Sequence, residues 1–264
     1  MKPLPVQDLV STMLSDDAQF LVPEGDRYWT PSVLAGLYEP EIHWVLHRAA
    51  DRPFFVFDAG ANFGYWSILA TSALFGRHPA IAIEPALANF SILVKNSHAN
   101  GERFEVLRRA VSDETGHTLT LYGRKHEGMS LRKDWHPNDV DRSEQVESIR
   151  LDAVVTSHAP KQPHPAFIKL DIEGAEIAGI RGASRLIGEG ALVVYEDHGK
   201  EPTHPVSRFV LSLEGHVTWR IGADMRPVRV TTVEEVATIK TDSGAGYNFF
   251  TCRESSPWSS LFEE

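Results

Sequence analysis

The most informative segment of the chain reads Phe54-Phe-Val-Phe-Asp58-Ala-Gly60-Ala-Asn62-Phe-Gly64-Tyr-Trp-Ser-Ile-Leu-Ala70. A short, almost wholly apolar run meets an acid, then two glycines four residues apart, and then an apolar helical stretch. This order is typical of a buried parallel strand, a tight turn and a helix that packs back on the sheet. Glycine lets the backbone approach a ligand closely, and the start of a helix presents unpaired N–H groups to it. The segment therefore indicates a nucleotide-type cofactor site.

The residues that follow alternate between strand and helix patterns. An apolar strand over 80–83 ends at Glu84, a helix is predicted over 86–99, and a third strand covers 104–107. This βαβαβ order predicts an α/β fold with a right-handed, doubly wound parallel sheet. Later strands are expected at residues 167–170, 191–196, 216–221 and 247–251.

The chain is predicted to contain two parts. Residues 1–50 are expected to form an N-terminal helical cap, with a weak amphipathic helix from about Pro5 to Met13 and a better one from Tyr38 to Ala50. Residues 51–264 are expected to form a Rossmann-like domain. Its insertion at about 113–150 is too long for a plain connection, and such excursions are often lids or binding loops.

Composition and charge exclude several classes of protein. The hydrophobic fraction of 42% is that of an ordinary globular chain, and 26 Lys+Arg against 36 Asp+Glu give a net charge of −10. Nucleic-acid or anionic-membrane partners need a basic face, so neither is expected. No apolar run is long enough to span a bilayer. The single cysteine, Cys252, fits a reducing compartment, and the predicted location is cytoplasmic.

Acidic residues close four of the predicted strands: Asp58, Glu84, Asp171 and Glu196. Ligands of open α/β sheets bind outside the carboxyl ends of the strands, so these acids predict a cofactor site along one edge. A carboxylate at the end of the second strand, such as Glu84, can accept both hydroxyls of an adenosine ribose.

The first turn argues against a pyrophosphate cofactor. It lacks the third small residue of the G-x-G-x-x-G fingerprint, it carries bulky Phe63, and it contains no basic residue. The acids along the edge would repel a pyrophosphate but suit a cation. S-adenosylmethionine, which has a ribose, no phosphate and a sulfonium, therefore fits better.

These motifs resemble the FkbM family of S-adenosylmethionine-dependent methyltransferases over roughly residues 38–220. The resemblance is most specific at Ile168-Lys-Leu-Asp-Ile-Glu-Gly-Ala-Glu176. The other matching pieces are Val56–Gly64, Ile83-Glu-Pro-Ala with Asn89, Leu93 and Asn96, Ala110-Val-Ser112, Met129-Ser-Leu131, Arg150-Leu-Asp152 and Tyr195-Glu196.

The resemblance implies a Rossmann-like class I methyltransferase sheet, mostly parallel with an antiparallel C-terminal strand and with helices on both faces. It implies an O-methyltransferase acting on a hydroxyl of a sugar, polysaccharide or polyketide-type small molecule. It also implies that the cofactor is lined by Asp58, Gly60, Asn62, Gly64, Glu84, Ala110 and Val111. From the same motifs the predicted cofactor site also includes Phe63, Pro85, Asn89 and Asp171.

The chemistry requires an activated acceptor. A sugar or alkyl hydroxyl is weakly acidic, so it needs a base or a metal ion to become a good nucleophile. His198 follows a central strand, and its type of side chain accepts protons near neutrality, so it is the predicted base. Asp171 and Glu196 are the other predicted catalytic residues, because they would orient the acceptor or share a divalent cation. The sequence fixes no metal ligand set.

An acceptor pocket is predicted from aromatic residues near Tyr28 and Trp29 and in the insertion at His126, Trp135 and His136. The acceptor itself, a small molecule or a glycan, stays open, as does a homo-oligomeric state. Two other functions also stay open: a nicotinamide-dependent oxidoreductase on the same sheet, and a catalytically inactive cofactor-binding scaffold.

Overall fold

An eight-stranded sheet forms the centre of the molecule, in a computed structural model that describes residues 8–34, 36, 38–135, 142–158 and 165–263. Five neighbouring strands of this sheet are parallel, and their order across the sheet is that of a doubly wound fold. From the middle to one edge they are β10 (Leu192–Glu196), β9 (Ala166–Leu170), β3 (Phe55–Ala59), β4 (Ala80–Ile83) and β5 (Glu105–Leu107).

The other side of the sheet is antiparallel. Strand β13 (Asn248–Arg253) pairs antiparallel with β10, then β11 (His216–Ile221) pairs antiparallel with β13, and β12 (Pro227–Val230) pairs antiparallel with β11. The predicted α/β sheet, mostly parallel and ending in an antiparallel C-terminal strand, is confirmed. The sequence prediction did not include β12.

Helices cover both faces of the sheet, because each central strand sends alternate side chains into two separate cores. One core contains Val56 and Phe167, and the other contains Phe57 and Ile168. The helices of the first face are α2 (Pro40–Ala49), α3 (Tyr65–Ala70) and α4 (Leu87–Ala99). Those of the second face are α5 (Leu151–His158), α6 (Glu176–Gly182), α7 (Ser184–Gly188), α8 (Pro205–Leu211) and α9 (Val233–Ile239).

The N-terminal segment begins with a β-hairpin. Strand β1 (Leu9–Ser15) pairs antiparallel with β2 (Ala18–Pro23), so the weak helix predicted from Pro5 to Met13 is wrong over its described part. The prediction of a helix was wrong because a hairpin is stabilised by strand pairing and by packing against residues outside the stretch Pro5–Met13. Helix α4 supplies part of that support, since the side chains of Asn96 and Asn100 hydrogen-bond the backbone of β2. A short helix, α1 (Trp29–Leu34), follows the hairpin.

The insertion forms a small sheet of its own. Strand β8 (Ser143–Ile149) lies between β6 (Ala110–Val111), to which it is parallel, and β7 (Thr118–Tyr122), to which it is antiparallel. Its interior contains Leu121 and Val146. The insertion therefore attaches to the edge of the domain beside the carboxyl ends of the parallel strands. Across the described part of the chain, no helix combines the length and the apolar composition needed to cross a membrane.

Candidate active site

The turn between β3 and α3 is fixed by its glycines. Gly60 has φ +78°, and a Cβ on it would lie 1.7 Å from the backbone oxygen of Asp171. The N–H groups of Gly60 and Ala61 both donate to the Ile83 carbonyl, at 2.9 and 3.1 Å. Gly60 is therefore required by the contact between strand ends, and through that contact the turn is held against β4 and β9.

Asp58, at the end of β3, connects the sheet to α3. One of its carboxylate oxygens accepts hydrogen bonds from the Ser67 N–H at 3.1 Å and from the Ser67 hydroxyl at 2.7 Å. The other oxygen, Oδ1, is buried and has no hydrogen-bond donor among the described residues. Burial raises the pKa of Asp58, although the nearby Lys169 ammonium acts in the opposite direction. The site therefore contains a buried acceptor atom that a cationic or hydrogen-bonding ligand could satisfy.

Glu84, only 4% exposed, is held by its neighbours at the end of β4. Its carboxylate accepts hydrogen bonds from the N–H groups of Asn62 and Ala86, both at 2.9 Å, and from the Asn89 side chain at 3.3 Å. Burial raises its pKa to about 8 in spite of these bonds. Asn62 has φ +52°, a left-handed conformation that aims its N–H at Glu84. The turn therefore also fixes the position of the Glu84 carboxylate.

A cavity with about 920 Å³ of space, part of it open to solvent, lies over these strand ends. It is lined by most of the residues predicted for the cofactor and for catalysis: Asp58, Gly60, Asn62, Glu84, Pro85, Asn89, Ala110, Val111, Asp171 and Glu196.

Three predicted site residues do not line this cavity. Phe63 is buried in the first core, and its ring stacks on His126 at 4.8 Å. Gly64 caps α3 at φ +93°, where a Cβ would approach Leu93 to 2.6 Å, so its role in this structure is packing. His198 lies beside the Trp135 ring at 5.8 Å, and its Nδ1 accepts from the Lys200 N–H at 3.1 Å.

Three carboxylates, Asp171, Glu173 and Glu196, converge at one end of the cavity. One oxygen of each lies within 4.8 Å of the others, which is close enough for all three to bind a single metal ion. Burial, reinforced by the charge of Asp171, raises the pKa of Glu173 to about 7. Burial and the same neighbouring carboxylates raise the pKa of Glu196 well above its ordinary value. This end of the cavity can therefore hold a proton or a cation at neutral pH.

Lys169, which was given no role from the sequence, is the buried cation of the site. Its Nζ lies 2.8 Å from an oxygen of Asp171, and it lines the cavity. Burial alone would lower its pKa, but the carboxylates of Asp171, Glu39 and Asp58 outweigh burial and raise it. Lys169 therefore stays charged and orients Asp171. The sequence signal was a lysine in an otherwise apolar strand.

Glu39 was also missed. It has φ +49° at the start of α2, and it accepts hydrogen bonds from Trp66 Nε1 and from the Asn248 side chain, both at 2.7 Å. Burial raises its pKa to about 7. Its partners lie far apart in the sequence, so no local pattern could have identified it.

Aromatic residues cover the cavity. Tyr28, Trp29, Tyr38 and Tyr65 all line it, with ring centroids 4.9–6.1 Å apart within the group. The Tyr28 and Tyr38 hydroxyls are 2.8 Å apart. The predicted aromatic pocket thus includes Tyr28 and Trp29.

Residues of the insertion complete this cover. The His126 imidazole Nε2 lies 2.7 Å from Asp26 Oδ2, and its backbone oxygen accepts from the side chains of Asn62 and Asn89 at 2.7 and 2.8 Å. Trp135 Nε1 donates to Glu173, and Lys200 Nζ lies 3.5 Å from the centre of a Trp135 ring. His136 lies outside the described residues.

The described geometry agrees with a comparison to protein families. The family described as "Methyltransferase FkbM domain" matches residues 58–214, which is more than half of the chain. The chain belongs to the FkbM methyltransferase family. This membership confirms the predicted family and the predicted enzyme class, an S-adenosylmethionine-dependent methyltransferase. The alternative of a nicotinamide-dependent oxidoreductase receives no support from it.

Several solved structures are similar to this chain at low sequence identity. The FkbM methyltransferase from Methylobacillus flagellatus is 15% identical with a TM-score of 0.45; the match covers 75% of this chain but only 43% of that protein. An O-methyltransferase from Bacillus cereus in complex with SAH is 10% identical over 85% of this chain and 88% of its own, with a TM-score of 0.45. An rRNA methylase from Streptococcus thermophilus is 13% identical over 83% and 99%, with a TM-score of 0.43. No curated protein matches the chain.

Proposed function

We propose that the protein is an O-methyltransferase that uses S-adenosylmethionine to methylate a hydroxyl of a sugar, polysaccharide or polyketide-type small molecule. The observation that carries this proposal is the group of carboxylates at the end of an aromatic-lined cavity, Asp171, Glu173 and Glu196. An aliphatic hydroxyl needs a proton acceptor at the point of transfer, and the carboxylates of Glu173 and Glu196, whose pKa values are raised by burial, can serve as one.

The residues predicted for the cofactor suit S-adenosylmethionine. Glu84 would accept from the ribose, and Asp58 and Asp171 would face the cationic end of the molecule. When bound, this cofactor supplies an activated methyl group, so the protein's contribution is alignment, exclusion of water and removal of the hydroxyl proton. The aromatic cover over the cavity favours the exclusion of water.

Glu173 is the best candidate for the base. Its pKa of about 7 matches proton transfer near neutrality, and the hydrogen bond from Trp135 fixes its orientation. Asp171 and Glu196 would orient the acceptor hydroxyl. His198 remains the prediction from sequence, but it does not line the cavity, and its ring lies beside Trp135.

The same carboxylates fit a divalent cation. Hard cations prefer carboxylate oxygens, and Asp171, Glu173 and Glu196 offer three within 4.8 Å of one another. Lys169 already neutralises part of the charge on Asp171, which reduces the need for a metal. A cation there would supply a Lewis acid beside the acceptor oxygen. Exhaustive chelation, followed by an assay with added Mg²⁺, separates a metal-dependent enzyme from a metal-free one, because only the metal-dependent enzyme would lose activity and then regain it.

The test is transfer of label from methyl-labelled cofactor to a panel of sugars, oligosaccharides and polyketide alcohols. We expect transfer to at least one of them, with a rate that rises as the pH passes about 7, the pKa of Glu173. Glu173→Gln should lower kcat by at least about 100-fold, as expected for loss of a general base. His198→Ala should retain most of the wild-type kcat. The reverse ranking would restore His198 as base. Absence of transfer to every class would favour the inactive scaffold.

A further inference from the structure

A basic groove runs beside the active-site cavity. It encloses about 2040 Å³ of space open to solvent, and five basic residues line it: Arg27, Lys95, Arg124, Lys125 and Arg142. The lining residues also include three acids, Glu24, Asp26 and Glu127. Asp26 is already engaged, because its Oδ2 contacts the His126 imidazole at 2.7 Å. The groove therefore has an excess of positive charge.

This excess contrasts with the rest of the molecule. The chain carries a net charge of −10, and the neighbouring cavity is lined by six carboxylates against Lys169 and Arg109. A groove of opposite sign in an acidic protein attracts anionic ligands and repels cationic ones. The contrast distinguishes the groove from a generally charged surface.

Four of the five cations lack a carboxylate partner within the described part of the chain. Among the described residues, no ion pair within 4.0 Å joins Arg27, Lys95, Lys125 or Arg142 to a carboxylate, whereas Arg103 and Arg108 elsewhere on the first face are paired at 2.9 Å. All four unpaired side chains belong to exposed residues. Their charges are therefore available to a ligand.

The arrangement of the cations indicates an extended ligand. They come from separate parts of the chain: the loop before α1, helix α4, the insertion loop at 124–125, and the start of β8. The apolar residues that line the groove, such as Pro23, Phe63 and Ile92, are buried and offer little surface to a ligand. Charges spread along a groove suit a chain with repeated anionic groups more than they suit a single phosphate.

The groove meets the active-site cavity. Tyr28, Asn89, His126 and Glu127 line both spaces. The two spaces are therefore neighbours, and a ligand that extends from the cavity into the groove has to pass these four residues.

We propose that this groove binds an acidic oligosaccharide portion of the methyl acceptor, one that carries carboxylate or phosphate groups. The proposal rests on the proposed function, since it extends the acceptor beyond the residue that is methylated. Carboxylate and phosphate share the chemistry that Arg and Lys recognise. An oligosaccharide is the acceptor class of the proposed function that can carry several such groups along its length.

Calorimetry with three probes tests this proposal: trigalacturonate, a phosphate-bearing trisaccharide and neutral maltotriose. We expect one or both charged probes to bind at low salt, binding to weaken as salt is added, and maltotriose to bind much more weakly. The stronger of the charged probes identifies the anionic group. Equal binding of maltotriose, or tighter binding of an RNA oligonucleotide or of anionic lipid vesicles, would overturn the proposed class of ligand.

A charge-reversal pair locates the binding. The variant Lys95→Glu/Arg142→Glu should weaken binding of the charged probe at least tenfold. The control Arg226→Glu/Arg229→Glu makes the same change in net charge at exposed residues near β12 and should leave binding unchanged. Equal losses in both variants would show a non-specific charge effect and reject the groove.

The same samples separate this proposal from the proposed function. Binding of S-adenosylhomocysteine should be unchanged in the groove variant, because neither substituted residue lines the active-site cavity. Groove-dependent binding without methyl transfer to any acceptor would reject the proposed function alone. Methyl transfer to a neutral acceptor at rates that the groove variant does not alter would reject the groove proposal alone.

Discussion

The two sides of the cavity are built in different ways. On the side proposed for the cofactor, the donors come from nearby segments. Asp58 accepts from Ser67 of α3, nine residues away, and Glu84 accepts from Ala86 and Asn62, two and twenty-two residues away. On the side proposed for the acceptor, the contacts join remote segments: Asp26 to His126, 100 residues apart, and Trp135 to Glu173, 38 residues apart. One side is part of the sheet, and the other is an assembly of loops placed over it.

This difference separates the conserved task of a methyltransferase from its variable task. The donor is always the same molecule, so a rigid edge of strand ends suits it. The acceptor differs between enzymes, and loops tolerate the sequence changes that a new acceptor requires. His126 belongs to both sides, since its ring contacts Asp26 while its backbone oxygen accepts from Asn62 and Asn89.

The cofactor side should be the less tolerant of substitution, and Gly60→Ala should have the largest effect. The added Cβ would lie 1.7 Å from the Asp171 backbone oxygen, at a φ of +78° that alanine disfavours. We expect a loss of at least about 3 kcal/mol in unfolding free energy, because the strand ends must separate. Urea unfolding measures it. Gly244→Ala is the control, since its nearest neighbour would be a side-chain oxygen at 3.4 Å; an equal loss there would show that the turn is not special.

Glu84→Gln tests whether the same side binds the cofactor. Glutamine keeps the shape but replaces one of the accepting oxygens with an NH2 group, which cannot accept from the three donors, so we expect the Kd for S-adenosylhomocysteine to rise about 10- to 100-fold, or roughly 1.4–2.8 kcal/mol. Glu176→Gln is a matched control, because Glu176 is also buried and accepts from the N–H groups of Ile172 and Gly174 but does not line the cavity. If both variants weaken binding equally, Glu84 supports the turn without touching the cofactor.

The same contrast explains what could be predicted from the sequence. The turn at Gly60, the acid Glu84 and the strand that ends at Asp171 lie in short motifs whose geometry is local. The sequence pattern was therefore sufficient to predict that they lie at strand ends. Glu39 comes near the site only through packing between distant elements, since its partners Trp66 and Asn248 are remote in the sequence. Lys169 contacts Asp171 only two residues away, and its local signal was a lysine in an apolar strand. His198 was chosen because it follows a strand end, but the backbone turn after β10 places its ring beside Trp135. Position along a strand was predictable; the direction of a loop side chain was not.

Stability should fall as the pH rises. Burial raises the pKa values of Glu84 and Glu176 to about 8, above the usual 4.5. The folded protein therefore retains protons that the unfolded chain releases, and this contribution is lost as the pH rises through 8. We expect the Tm to drop by at least about 4 °C between pH 5 and 8.5, equivalent to roughly 1–2 kcal/mol.

The double variant Glu84→Gln/Glu176→Gln checks the cause. Because glutamine does not titrate, the Tm of the double variant should change less than that of the wild type over the same pH range. A drop as large as that of the wild type would mean that other groups control the pH dependence. The carboxylates of the acceptor side that titrate near pH 7, such as Glu173, would then be the next to substitute.

The smallest effect should come from Trp135→Phe, on the acceptor side. Phenylalanine keeps an apolar ring against Gly174 but removes the Nε1–H that donates to Glu173. That hydrogen bond lowers the pKa of Glu173, so its loss should raise the pKa further above 7 and leave less of the base ionised at neutral pH. We expect kcat at pH 7 to fall about 3- to 10-fold, or under about 1.4 kcal/mol, with recovery at higher pH and no change in the Kd for S-adenosylhomocysteine. Trp29→Phe removes a comparable donor, from Trp29 Nε1 to the Asn62 side chain, and should change that Kd instead. If both tryptophan variants altered cofactor binding and left the pH profile of kcat unchanged, the division between the two sides of the cavity would be wrong.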